Sequence, residues 1–398
     1  MRVCVVGGGI AGLSAAHLLS AHPEAEVTCY EQAARLGGRA DVEDGREHCP
    51  RVFLEDYVHL FRMMREIPAP DGGSVRDSLR RLHRFARTGD GAWVEISHLY
   101  RVMAKELSSA DRLRFTWNWR PSPLLGEHRP RERGANRYGS VFNYSLSSVL
   151  RMAGNLFRSK IGYALPGPTD SCLIDPWAAF LRQRGVRFET GCRVTRLKPC
   201  ADHVRVHTCE AVADFDAVVV TAFVPDLIAL LNASRLDHGI REVDHMHCVA
   251  HTIALDPREP VLARTPDPAV YQCQGISVLV QPEAARCVAL CIRNKRTDPE
   301  YVLDIVRATL PLDFPVQGIL SRPNQRPGEA ILSGDYTRVD RILRVPASRV
   351  HFAGSHVSNA YPMDSAEGAA RTALAAVRSL LRAHAQEADL GDRAAGHA

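Results

Sequence analysis

The sequence has no stretch approaching the ~18 continuous apolar residues of a membrane-spanning helix. An apolar run opens the chain, but Gly7, Gly8, Gly9 and Gly12 interrupt it and no clean cleavage pattern follows, so it does not read as a secretory leader. The 11 cysteines include no C-x-x-C pair, and no Cys/His cluster stands at metal-ligand spacing, so no metal site is expected. Several cysteines, such as Cys4, Cys29 and Cys287, sit inside apolar runs and read as reduced core thiols of a cytoplasmic protein. No internal repeat is present, and nothing in the sequence points to a nucleic-acid partner.

What is present is bulk for a core. Over 398 residues 45% are apolar, a length that suggests about two domains at ~150 residues each. The formal net charge is +5, yet between Arg76 and Arg133 there are 13 Lys and Arg against 7 Asp and Glu, a local surplus of six. That surplus reads first as a solvated face. Within it, "RDSLRRLHRFAR" has the pattern of a short basic amphipathic helix, with Leu79, Leu82 and Phe85 on its apolar side. Peripheral membrane contact through it is the less favoured reading.

The most informative stretch is "VVGGGIAGLSAAHLL", residues 5–19. A β-branched run from Arg2 to Val6, a glycine turn and an Ala/Leu-rich helix are followed by a second strand, "AEVTCYE", ending at Glu31. Together they form one βαβ unit of a parallel sheet. Gly7 permits the tight turn, Gly9 lets backbone approach a pyrophosphate, and Gly12 lets helix and strand pack closely. The helix start at Ala11 then offers amides and a positive dipole end to phosphate. Glu31 stands at the distance where an acidic residue accepts ribose hydroxyls. A second paired-glycine turn follows, Gly37 and Gly38 before Arg39, able to bring backbone and guanidinium onto phosphate oxygen. From Val52 to Leu165 the pattern reads as mostly helical; beyond it come "PWAAFLRQRG" as a helix, then short strands through "FDAVVVTA", "CVAHTIAL", "GISVLVQ" and "RCVALCI". "VHFAG" leads into a long Ala-rich helix, and the last residues read as a frayed tail.

With the fingerprint, the ribose Glu and the GGR turn in this order, the sequence resembles the superfamily of FAD-dependent amine oxidases and phytoene desaturase-like flavoproteins. Two later stretches extend the resemblance. "CLIDPWAAFLRQRGVRFETGCRVTRL" is similar to the central segment of the FAD domain, with Val194 at the position whose backbone meets the adenine. "RVHFAGSHVSNAYPMDSAEGAARTALAAV" is similar to the C-terminal flavin motif, which places Gly354, Ser355, Met363, Asp364 and Ser365 at the cofactor. Ser355 replaces the usual acidic residue, a departure that implies rearranged ribityl contacts. Ser365 stands where amine oxidases carry an aromatic-cage Tyr, which favours the desaturase-like branch. "EHCPRVFLEDY" resembles the segment near the flavin face, giving His48 and Arg51 as polar groups at the reacting end, with Tyr361 bordering the flavin.

The resemblance implies an α/β fold: a Rossmann-like FAD-binding domain assembled from residues 1–60, 166–235 and 335–385. An inserted α+β substrate domain would comprise 61–165 and 236–334, with 386–398 as the flexible tail. It implies a dehydrogenase or desaturase moving hydride from a substrate C–H to flavin N5. The chain is short for a carotenoid desaturase, which points to a compact apolar or conjugated small-molecule substrate. A flavin amine oxidase is the second reading, and a redox-neutral isomerase or non-catalytic FAD binder the third. Trp117, Trp119, Tyr138, Phe142, Tyr144 and Phe157 read as core or as the lining of an apolar cavity.

Overall fold

The computed structural model describes residues 1–87, 93–95, 162–238, 245–246, 248–258, 265–273, 276–292, 299–309, 316–324, 331–332, 349–357 and 365–395. The chain forms two compact units, one of Met1–Gly38, Trp177–Glu242 and Tyr336–Ala398, the other of Arg39–Pro176 and Val243–Asp335. The division places residues 39–60 and 166–176 with the second unit, whereas the sequence analysis groups them with the first.

The first unit is built on five parallel strands: β1 (Arg2–Val6), β2 (Glu26–Glu31), β3 (Arg187–Thr190), β4 (Ala217–Val220) and β5 (Val350–Phe352), in the order β3-β2-β1-β4-β5. Val3, Cys4 and Val5 of β1 and Val218 and Val219 of β4 are fully buried. Such unbroken apolar runs suit strands covered on both faces. Helix α1 (Ile10–Leu19) packs against the C-terminal helix α4 (Ala366–Ala395). Ala11, Ala15 and Ala16 on one and Ala369, Ala370 and Ala373 on the other are all buried. Small side chains keep that approach close. Helix α2 (Asp175–Gln183) inserts Trp177, whose indole N–H donates to Nδ1 of buried His17 at 3.2 Å. Helix α3 (Val224–Ala233) follows β4. An antiparallel meander, Val194–Pro199, Val204–Thr208 and Val212–Phe215, completes the unit. The parallel sheet with helices and the appended second unit make the fold α/β, Rossmann-like, as the sequence implied. No described helix is long and apolar enough to cross a membrane.

The second unit centres on a seven-stranded sheet in the order Val316–Asn324, Cys248–Leu255, Arg286–Ile292, Ile276–Gln281, Ala269–Cys273, His83–Arg87, Trp93–Glu95. Neighbours are antiparallel except Ala269–Cys273 with His83–Arg87. Strict alternation sorts the faces. Ile253, Leu255, Val278, Val280 and Cys287 form a core with Tyr271, and Leu303 of helix Pro299–Thr309 packs against it. Thr252, Gln281 and Arg286 occupy the opposite parity.

Three expectations need correction. The stretch from Val52 is not mostly helical in its described part: Val52–Leu54 is a strand, and helix is confined to Val58–Met64 and Val75–Ser78. The basic run is not an amphipathic helix either, since Arg80–Arg81 and His83–Arg87 are strands paired with Gly162–Ala164 and Ala269–Cys273. Sheet partners distant in sequence override the helical spacing. Finally, α4 continues through Ala395, so the segment read as a frayed tail is helical to that point. "SLSSVLRMAGNLF" and the six aromatics from Trp117 to Phe157 lie outside the described residues.

Candidate functional site

The carboxyl edge of the parallel sheet gathers the chemistry. After β1 the chain turns at Gly7 with φ +105°, a conformation glycine adopts without strain. Thr221, directly after β4, lies 2.9 Å from the Val6 carbonyl and 3.0 Å from that of Gly7 through its hydroxyl. Gly12 admits no side chain: an added Cβ would lie 1.8 Å from the Gly7 carbonyl oxygen. Gly9 differs, because there a Cβ would meet only the Gly37 oxygen at 3.7 Å and Gly38 Cα at 3.9 Å. The protein's own packing therefore leaves the space before Gly9 open.

Gly9 is the N-cap of α1 and no side chain caps the helix. The first intrahelical bond runs from Leu13 N–H to the Gly9 carbonyl at 2.9 Å. The amides of that first turn, Ala11 and Gly12 among them, are thus placed for an anion. The second glycine turn lies alongside, with Gly37 N–H donating to the Gly8 carbonyl at 2.9 Å and Gly9 bridged to Gly37. Glu31 is 6% exposed, and its carboxylate accepts from Gly8 N–H at 2.6 Å and Ala33 N–H at 2.8 Å. Its evident work is to hold the glycine turn, a task the spacing argument did not foresee. The chain returns past it, with Cys192 N–H bonded to the Glu31 carbonyl and Gly191 N–H to that of Ala33. Two residues on, buried Val194 opens the meander opposite Thr208.

Beyond β5, Gly354 (φ +150°) donates its N–H to the Thr372 hydroxyl of α4 at 2.9 Å. Ser355 and His356 are buried beside it. Ser365 caps α4: its hydroxyl accepts from Gly368 N–H at 3.0 Å. Tyr361, Met363 and Asp364 lie outside the described residues. Thr221 and Thr372 were missed by the sequence analysis; a hydroxyl directly after a buried apolar strand was the available signal for Thr221.

Arg39, His48 and Arg51 belong to the second unit. Arg51 donates through Nη2 to the Arg39 carbonyl at 3.0 Å, and His48 is 3% exposed. Next to His48 stands the group that sequence reasoning overlooked. Glu47 is 1% exposed and accepts from Thr169 N–H at 2.9 Å, from the Thr169 hydroxyl at 3.0 Å and from Arg286 Nη2 at 3.0 Å. Arg286 also donates to the Gln281 side chain and the Gly167 carbonyl, both at 2.8 Å. Burial pushes the Cys287 thiol up to about 12, outweighing the favourable Arg286 charge beside it. Burial likewise raises Cys4 and Cys29, so these three thiols stay protonated at neutral pH. No cluster of three or more His, Cys, Asp or Glu suited to a metal occurs among the described residues.

Residues 5–67 match the family of NAD(P)-binding Rossmann-like domains. A search of curated proteins by sequence gives no match. By fold the chain is similar to cyclohexylamine oxidase from Brevibacterium oxydans IH-35A, with 14% identity, a TM-score of 0.59 and 97% and 99% of the two chains covered. It is also similar to a protein proposed to be a protoporphyrinogen oxidase, from Exiguobacterium sp. 255-15, at 15% identity and TM-score 0.57, covering 95% of this chain and 98% of that one. A putrescine oxidase redesigned in its cofactor binding is similar at 13% identity and TM-score 0.58, with 96% and 99% covered. At such identities the likeness establishes a shared fold over nearly the whole chain.

Proposed function

We propose that the protein is an FAD-dependent oxidoreductase acting as a dehydrogenase or desaturase on a compact, largely apolar small molecule. The observation that carries this reading is the open space before Gly9, framed by an uncapped helix start and a second glycine turn. Among the described residues a Cβ at Gly9 meets no atom closer than 3.7 Å, so what glycine leaves free there suits a pyrophosphate. The residues present fit the group. Gly9, Ala11 and Gly12 would bind its phosphates through backbone, Gly38 and Arg39 a further oxygen, and Glu31 a ribose, since a carboxylate has acceptor capacity beyond two amides. Val194 would meet the adenine. Gly354, Ser355, Met363, Asp364 and Ser365 would serve the flavin end.

When bound, the flavin supplies two-electron acceptance of a hydride from a substrate C–H bond. This chain's share is placement and exclusion of water. His48 and Arg51 would orient a polar group of the substrate and Tyr361 would border the reacting end, while backbone amides at α1 would hold the cofactor in register. The likeness to oxidases of cyclohexylamine and putrescine supports a second reading, amine oxidation. Ser365 counts against it, because a helix-capping serine cannot act as an aromatic cage wall.

The test is an absorption spectrum of the purified protein, followed by denaturation and identification of the released cofactor. Flavin bands and released FAD are expected, with bleaching under anaerobic conditions by an oxidisable apolar substrate. Bleaching by amines alone would select the second reading. A colourless protein that cannot be reconstituted with FAD overturns both.

A further inference from the structure

We propose that the second unit carries a ligand pocket of its own, built for a small apolar molecule bearing one neutral carbonyl-type oxygen. The pocket is a groove of about 500 Å³ whose lining includes Thr252, Ala254, Arg286, Gly318, Ile319 and Leu320. That volume is in the range of small-molecule sites. Its walls are mostly Ala, Gly and Leu, and Leu320 is 49% exposed there, an unusual position for so large an apolar side chain.

Two donors in this lining lack acceptors. The Arg286 side chain is 10% exposed; its Nε and Nη2 are bonded to Gln281, Glu47 and Gly167, whereas Nη1 has no acceptor among the described residues. Nη1 is not among the polar atoms sealed from solvent without a partner, so it keeps solvent access. Thr252 accepts from Glu47 N–H at 3.0 Å, which uses a lone pair and leaves its O–H to donate. A carbonyl oxygen can take both hydrogens.

Charge selects the class of ligand. Arg286 is already neutralised by Glu47 at 3.0 Å, and no second cation lines the groove among the described residues. A carboxylate ligand would add an uncompensated negative charge, so a neutral acceptor is preferred. This pocket is independent of the flavin reading above.

The test titrates the full-length protein with acetophenone, with ethylbenzene as the same shape without oxygen, and with benzoate, following binding by ligand-observed NMR. Acetophenone should bind about tenfold more tightly than ethylbenzene, the worth of one to two net hydrogen bonds, and more tightly than benzoate. Gly318→Val locates the site: among the described residues a Cβ there meets no atom within 4 Å, so the new side chain enters the groove without disturbing the sheet. Acetophenone binding should fall to background in that variant and in Ala254→Leu, its register partner on the neighbouring strand. Equal binding of ethylbenzene, tighter binding of benzoate, no binding of acetophenone, or unchanged binding in either folded variant overturns the proposal.

Discussion

The two units fix their critical loops by opposite means. In the first, the turn after β1 is held by contacts among neighbouring strand ends: glycine where a Cβ cannot fit, backbone amides on the Glu31 carboxylate, a hydroxyl from Thr221. In the second, the hairpin of Val42–Glu43 with Arg46–Glu47 is held by a buried charge pair whose members lie 239 residues apart. A short loop can be specified locally by the residues that must be absent. A surface assembled from distant strands needs a strong, directional tie. The comparison teaches where each unit is vulnerable, to added volume in one and to removed charge in the other.

The largest effect should come from Gly12→Ala. A Cβ 1.8 Å from the Gly7 carbonyl cannot be absorbed by a rotamer change, so backbone must move. The loss should exceed the ~1–3 kcal/mol usual for overpacking, and denaturant unfolding should show a protein that is barely folded. Gly9→Ala, three residues away, is the contrast. Its cost should be about 1 kcal/mol or less, the difference between Gly and Ala at an N-cap, while copurifying cofactor is lost. If both variants lose stability alike, the turn is structural throughout and the open space at Gly9 has no ligand.

In the second unit, Arg286→Met should cost about 3–5 kcal/mol, because it strands the Glu47 carboxylate in a nearly dry site. Pairing it with Glu47→Leu should recover much of that loss, and the coupling in a double-mutant cycle measures the pair. Additive losses would mean that Glu47 acts through Thr169 alone. Smaller again is Thr372→Val in the first unit. It removes the hydroxyl that receives Gly354 N–H and should cost about 1–3 kcal/mol from a buried, unpaired amide.

The same contrast explains what the sequence revealed. The βαβ unit was legible because each of its requirements, Gly7, Gly12 and Glu31, falls within one local spacing. Strands such as Cys248–Leu255 and Arg286–Ile292 were legible from β-branched apolar runs with clear ends. The run from Arg80 to Arg87 was misread because its partners, Gly162–Ala164 and Ala269–Cys273, are far along the chain, and local spacing of Leu79, Leu82 and Phe85 mimics a helix. Glu47 escaped notice for the same reason. Beside His48 and Arg51 it looks like one more charge, and only the arrival of Thr169 and Arg286 makes it a centre.

The smallest effect is a pH dependence that belongs to the first unit. His351 lies in β5, register-paired with Val219 of β4, and burial lowers its pKa below the ordinary 6.5. Burial disfavours the charged ring, so the unfolded chain takes up a proton at a higher pH than the folded one does. Stability is therefore full above about pH 6.5 and declines as pH falls through that value, because there the unfolded state binds more protons. Below the folded pKa both states are protonated and the decline from this residue ends. Thermal unfolding of wild type and His351→Gln between pH 7.5 and 5 checks this. The variant should lose part of the downward slope over that interval while Gly9→Ala keeps all of it. Equal slopes in wild type and His351→Gln would place the titration elsewhere than β5.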